Sequence, residues 1–164
     1  MLTIRPADSS DRMLIHEMAN VVFPATYRNI LSPEQLIYMM EWMYAPQNIE
    51  KQMNEGHLFF IAYCGNDLCG YASIQQEDEH LFHLQKLYVL PHFQGQHCGE
   101  DLFRLMIKEI KQLHPEPCIM ELNVNRANRA VGFYHRMGMA IHREGDFPIG
   151  QGYYMNDYIM RIEL

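Results

Sequence analysis

The spacing of apolar residues changes at Gly56, and that change constrains the fold more than any other feature of the chain. Before it, Leu2-Thr3-Ile4 reads as a short first strand ended by Arg5-Pro6, Met13, Leu14, Met18, Val21 and Val22 recur at helical intervals, and Leu36, Met39, Met40 and Met43 do so again. After it, three stretches in succession read as strands: Leu58 to Cys64, Leu68 to Gln75 and Leu81 to Leu90. Gly65-Asn66-Asp67 turns the first two into a hairpin. Helical and strand patterns then alternate. Residues 99–113 put Leu102, Phe103, Met106, Ile107 and Ile110 on one helix face. Residues 119–124 form a strand, residues 128–137 a helix closed by Gly138, and residues 139–144 and 153–162 two last strands. This order predicts an α+β (mixed α/β) fold: a central mixed, mostly antiparallel sheet of about seven strands, with helices on both faces.

The helix ends carry their own signals. Phe23-Pro24 breaks the first helix. Ser32-Pro33-Glu34-Gln35 opens the second with an N-cap serine, a proline at the first helical position and a glutamine placed to close a capping box. That helix stops near Pro46, and residues 49–54 add a short helical piece.

A chain of 164 residues holds one domain, spanning 1–164. At this size about 70% of the unfolded surface is buried on folding, so a core forms without disulfide staples. The net charge of −7 opposes nucleic acid and suits cationic small molecules. Cys64, Cys69, Cys98 and Cys118 contain no Cys-x-x-Cys pair and do not read as a disulfide framework. The N-terminus lacks the apolar region of a signal peptide, and no apolar run reaches the length of a membrane span. The expectation is a reduced, cytoplasmic protein with no membrane partner.

The chemistry is concentrated between Leu87 and Glu100, where a strand ends, a small-residue loop follows and a helix begins. Free amides at a helix start carry partial positive charge and accept a pyrophosphate. Gln94-x-x-His97-x-Gly99 resembles the Gln/Arg-x-x-Gly-x-Gly/Ala signature of the GNAT superfamily of N-acetyltransferases. Leu87-Tyr88-Val89-x-Pro91 resembles the family's fourth strand. Leu122-Asn123-Val124, followed by Asn128, Ala130, Phe133-Tyr134 and Met137-Gly138-Met139, resembles its fifth strand and the helix after it. The element order agrees across essentially the whole chain. Phe23, Thr26-Tyr27, Ser32-Pro33-Glu34 and Met43-Tyr44, with the segment from Gly145-Asp146 to Asp157-Tyr158, are similar to the bacterial polyamine (spermidine/spermine) N-acetyltransferase branch.

The resemblance implies the acyl-CoA N-acyltransferase fold, acetyl-CoA as co-substrate and direct acetyl transfer to an amine. The pyrophosphate would lie on the loop at Gln94, Gly95, Gln96, His97, Cys98, Gly99 and Glu100. The pantetheine arm would pair with Leu87 and Val89 where the fourth and fifth strands splay, and Asn128 would hydrogen-bond it. Tyr134 would stand near the thioester sulfur as general acid, a task that suits a phenol. The Val89 amide is the oxyanion donor. His83 is the candidate base, on the premise that His83, Gln85, Leu87 and Val89 share one strand face turned to the cleft. The competing reading of Tyr134 is a packed helix aromatic, and that of His83 a polar residue near a strand start.

His97 departs from the family, which usually has glycine there. It either contacts a phosphate or points to solvent, and a third outcome is weakened CoA binding. Cys98 reads as a buried, inert thiol. No metal site is expected: His80 and His83 face opposite sides of a strand, and His92 and His97 lack a partner in register. Phe23, Tyr27, Tyr38, Trp42 and Tyr44 are candidates to wall an amine pocket, or core residues. Glu34, Glu41 and Glu77-Asp78-Glu79 would draw a polyamine, or are solvated charges. The Tyr-rich last strand would pair across a homodimer or lie inside the sheet. Two other functions stay open: a non-catalytic CoA-binding regulatory module, and acetylation of protein N-termini or lysines.

Overall fold

Alternation along the strands places two apolar sets back to back, and the helices cover them. The computed structural model describes residues 1–164. The strands are β1 (Leu2–Pro6), β2 (Leu58–Cys64), β3 (Asp67–Asp78), β4 (Leu81–Val89), β5 (Ile119–Asn125), β6 (Ala140–Gly150) and β7 (Tyr153–Glu163). They form one sheet in the order β1-β2-β3-β4-β5-β7-β6. Every pairing is antiparallel except β4 with β5. Helices α1 (Arg12–Tyr27), α2 (Pro33–Tyr44) and α3 (Pro46–Asn54) cover one face, where Phe59, Ile61 and Tyr71 meet Ile15, Val22 and Phe23. Helices α4 (Cys98–Leu113) and α5 (Ala130–Arg136) cover the other, where Phe60, Ala72 and Ile74 meet Leu102, Phe103 and Met106. The expected mixed sheet with helices on both faces is therefore present.

Prolines account for most of the boundary differences. Helix α1 runs through Pro24 to Tyr27 instead of breaking there. The lost backbone bond would have gone to the carbonyl of Asn20, an exposed residue, so water can take it. Burial of Val22 and Phe23 favours keeping the helix going. Pro46 does not merely follow α2; it is the first residue of α3. Strand β6 continues past Glu144 and through Pro148, which costs no ladder bond on an edge strand. Ser32 caps α2 by accepting from the Gln35 amide at 3.1 Å. The Gln35 side chain does not return to Ser32; it donates to the Tyr154 carbonyl at 2.8 Å. The capping box is half made, and the freed arm ties α2 to the β6–β7 hairpin. Strand β7 lies between β5 and β6, so it is not available to pair across a dimer.

Two irregularities position the site. Strands β4 and β5 pair only at Leu81–Ile119, Phe82–Met120 and His83–Glu121, and beyond them the strands form an open fork. Strand β4 also carries a bulge: Ile74 pairs with Leu84 but Ser73 pairs with Lys86, leaving Gln85 as an extra residue. The bulge reverses the alternation. Phe82, Leu84, Leu87 and Val89 pack toward α4, whereas Lys86 and Tyr88 turn to the α1–α3 side with His83. The expectation that His83, Gln85, Leu87 and Val89 share one face is corrected by that one residue. Strands β3 and β4 approach so closely here that a Cβ on Gly70 would lie 2.3 Å from the Tyr88 carbonyl oxygen.

Candidate active site

The fork between β4 and β5 holds a cavity of about 920 Å³, lined among others by Leu87, Val89, Gln94, Gly99, Asn128 and Tyr134. At its end Pro91–Phe93 makes a single 3-10 turn and α4 begins at Cys98. Two loop residues take left-handed backbone, Gly95 at φ 80° and His97 at φ 62°. Gln94 braces the loop by donating to the Val89 carbonyl at 3.0 Å. Gln96 likewise donates to the His92 carbonyl at 3.3 Å. In the first turn of α4, Glu100 bonds Arg104 at 2.8 Å.

His97 therefore adopts the conformation that glycine takes at little cost. Its side chain is 84% exposed, with Nδ1 3.6 Å from a Glu100 oxygen. Left-handed backbone costs a non-glycine residue roughly 1–2 kcal/mol. His97→Gly is accordingly expected to bind CoA as well as the wild type or better, measured by calorimetry. Binding at least tenfold weaker would instead assign the ring a phosphate contact.

Cys98 is buried, its Sγ 3.3 Å from that of Cys64, and burial pushes its thiol up to about 11. The thiol is buried, as expected. Asn128 spends its side-chain oxygen on the Ala130 amide at 2.9 Å, while its NH₂ faces the Tyr27 hydroxyl at 3.4 Å. Tyr134 is 8% exposed, packed against Phe103 and Phe133, and burial raises its phenol well above the ordinary range. It is fully protonated at neutral pH.

A second cavity, of about 510 Å³, lies on the α1–α3 side of the sheet. Phe23, Tyr27, Trp42 and Tyr154 supply its aromatic wall, and Glu55, Glu77 and Asp157 its carboxylates. The two cavities share Tyr27, Gln85, Lys86, Tyr88 and Asn123. His83 lines the second cavity, and its Nδ1 lies 3.1 Å from Glu77, whose carboxyl is lowered by that bond. Asp157 is buried, which raises its carboxyl, with Asn123 donating to it at 3.3 Å. Tyr38 reaches the Ile149 carbonyl, linking α2 to the β6–β7 hairpin.

Some expected residues are elsewhere. Tyr44 is fully buried and accepts from the Tyr71 hydroxyl at 2.8 Å, so it belongs to the core and not to the pocket wall. Glu34, Glu41, Asp78 and Glu79 are exposed and do not line the cavity.

The sequence model of the acetyltransferase (GNAT) domain matches residues 28–145. The chain belongs to the GNAT acetyltransferase family. No curated protein sequence matches it significantly. Solved structures share the fold of this GNAT acetyltransferase over its whole length. The PaiA N-acetyltransferase of Thermoplasma acidophilum, in complex with coenzyme A, is 22% identical, with a TM-score of 0.79 over 100% of this chain and 99% of that one. The ribosomal-protein-S18-alanine N-acetyltransferase of Escherichia coli is 17% identical, with a TM-score of 0.73 over 99% and 94%. YncA of Salmonella typhimurium, solved with its cofactor acetyl-CoA, is 20% identical, with a TM-score of 0.67 over 100% and 94%.

Sequence reasoning about this GNAT acetyltransferase missed Lys86. The residue is 8% exposed and has no carboxylate within ion-pair distance. Its Nζ donates to Gln52 at 2.7 Å and lies 5.2 Å from the Phe59 ring centre and 5.7 Å from that of Tyr44. Burial pushes its ammonium down to about 7. Nearby, burial and then the charge of Lys86 push His57 down to about 4. The consecutive polar pair Gln85-Lys86, in a strand that otherwise alternates from Phe82, was the available signal for both the bulge and this residue.

Proposed function

We propose that this acetyltransferase moves the acetyl group of acetyl-CoA directly to a primary amine, with a polyamine as the leading acceptor class. The observation that carries the reading is the junction of the two cavities at Tyr27, Gln85, Lys86, Tyr88 and Asn123. One arm leads to the loop at Gly95–Glu100 and suits a pyrophosphate; the other is walled by carboxylates and aromatic rings that attract an ammonium.

In this reading the loop amides hold the pyrophosphate, Leu87 and Val89 align the pantetheine, and Asn128 supports it with the second hydrogen of the NH₂ that bonds Tyr27. Glu55, Glu77 and Asp157 draw the acceptor amine into the second cavity. His83, held by Glu77, removes its proton, and the neutral nitrogen attacks the thioester carbonyl. The Val89 amide stabilises the negative oxygen. Tyr134 protonates the sulfur as the carbon–sulfur bond breaks, and the second proton lost by the attacking nitrogen restores the phenol. Lys86 is the second candidate base, favoured by its place at the junction and a proton affinity near neutrality. Its neutral form accepts a proton without a carboxylate partner. The four free thiols fit the cytoplasmic setting read from the sequence, and no helix is long and apolar enough to cross a membrane.

Saturating CoA is expected to raise the melting temperature by about 5–10 °C, the equivalent of about 2.7 kcal/mol at a hundredfold excess over Kd. Thiol release from acetyl-CoA should then be faster with spermidine and other small amines than with peptide N-termini or lysines. No thermal shift removes the donor assignment. A shift without turnover makes the protein a CoA-binding module, and release with peptides alone makes it a protein acetyltransferase.

A further inference from the structure

We propose that His80, His114 and Glu116 form a binding site for one divalent transition-metal ion of the zinc type. His80 sits in the turn between β3 and β4, His114 ends α4, and Glu116 lies in the connection to β5. Each offers one ligand atom, and the three atoms lie within 4.8 Å of one another. His80 Nδ1 and His114 Nε2 are 3.0 Å apart and share a hydrogen bond, whose proton an incoming metal ion would displace. Two zinc–nitrogen bonds of about 2.0–2.1 Å meeting at a tetrahedral angle set their nitrogens about 3.3 Å apart. The pair is thus within a few tenths of an ångström of chelating distance before any ion arrives.

The surroundings hold the donors in that arrangement. The His114 ring packs on Phe82, with centres 6.0 Å apart, and meets the His80 ring edge-on at 5.0 Å. Glu79 lies 3.8 Å from His80 Nε2, on the far side of the ring from His114. With Nδ1 on a metal ion, a carboxylate there would accept from Nε2 and orient the ring. The His80 carbonyl accepts from the Ile119 amide at 2.9 Å, and Lys111 donates to the Glu116 carbonyl at 2.9 Å, so both segments are anchored.

Two imidazoles and one carboxylate select zinc, cobalt, nickel or copper over magnesium and calcium, which prefer all-oxygen shells. His80 and Glu116 are exposed, which leaves water to complete the shell. Binding requires both imidazoles in their neutral form. Because the ligands come from separate segments, the site exists only in the folded chain, and the ion stabilises that state. It would staple the β3–β4 turn to the α4–β5 connection where β4 and β5 are still paired, about 30 Å along β4 from Val89.

The test uses reduced, untagged protein titrated with zinc(II) by calorimetry and with cobalt(II) by absorption. The expected result is one ion per chain with micromolar affinity, and a cobalt spectrum lacking thiolate charge transfer. His80→Ala and His114→Ala should each weaken binding about 10-fold or more and reduce the rise in melting temperature that zinc gives the wild type. Cys64→Ser should leave both unchanged. No saturable binding up to about 100 µM, full binding by the His80→Ala/His114→Ala double variant, or a thiolate band abolished by Cys64→Ser would each overturn the site.

Discussion

Tyr134→Phe is expected to lower kcat by about 10²–10⁴-fold while leaving the KM for acetyl-CoA nearly unchanged. The substitution removes one oxygen and keeps the ring that packs against Phe103 and Phe133, so the fold should melt where the wild type does. Burial holds the phenol protonated through the neutral range, as the proposed acid role requires. It lines the fork, where in the proposed reaction the departing sulfur would need a proton. Steady-state kinetics with a saturating amine, alongside a melting curve, separates the roles. Turnover close to wild type would return Tyr134 to the role of a packed aromatic.

Lys86→Met should stabilise the protein, and by an amount that depends on pH. Lysine normally titrates near 10.5, whereas burial holds Lys86 near 7 in the folded state. The unfolded chain therefore binds more protons between those values, and the wild type gains stability as pH rises from 7 to 10.5. Below pH 7 the full cost of keeping this lysine buried is present, of the order of 5 kcal/mol before the Gln52 bond and the two rings offset part of it. Methionine fills a similar volume without a charge. The variant should melt several degrees higher at pH 6, and the advantage should shrink toward pH 10. A gain that does not vary with pH would show that packing, and not the buried cation, is responsible. If Lys86 also takes the acceptor's proton, the same variant loses the rise in kcat that deprotonation of Lys86 near pH 7 would give; a pH profile like that of the wild type would exclude Lys86 as the base.

The order of strands and helices was legible because it depends on local periodicity, and the apolar stripe of α4 needed no tertiary information. Pro24 was read as a break because a proline's cost depends on what replaces the missing bond, and Asn20 faces water. The β4 bulge is a property of two strands together: only the register against Ser73 and Ile74 makes Gln85 the extra residue. Lys86 was passed over because a lysine in a strand is ordinarily on the surface, and nothing local announces Gln52, Phe59 and Tyr44 around it. The phosphate loop and the Phe133-Tyr134 pair gained meaning from their resemblance to a family and from their separation along the chain. His80 and His114 are 34 residues apart, and no spacing rule would have joined them.

Trp42 is the chain's only tryptophan, and it lies on the wall of the cavity beside α1–α3, 43% exposed. Its emission therefore comes from one known address, half in water and half against protein. An amine entering that cavity changes the dielectric around the indole, whereas a nucleotide filling the fork does not touch it. If the proposed acceptor site is right, the protein carries a built-in optical reporter for the amine, and the order in which amine and acetyl-CoA bind can be read by stopped-flow without a label.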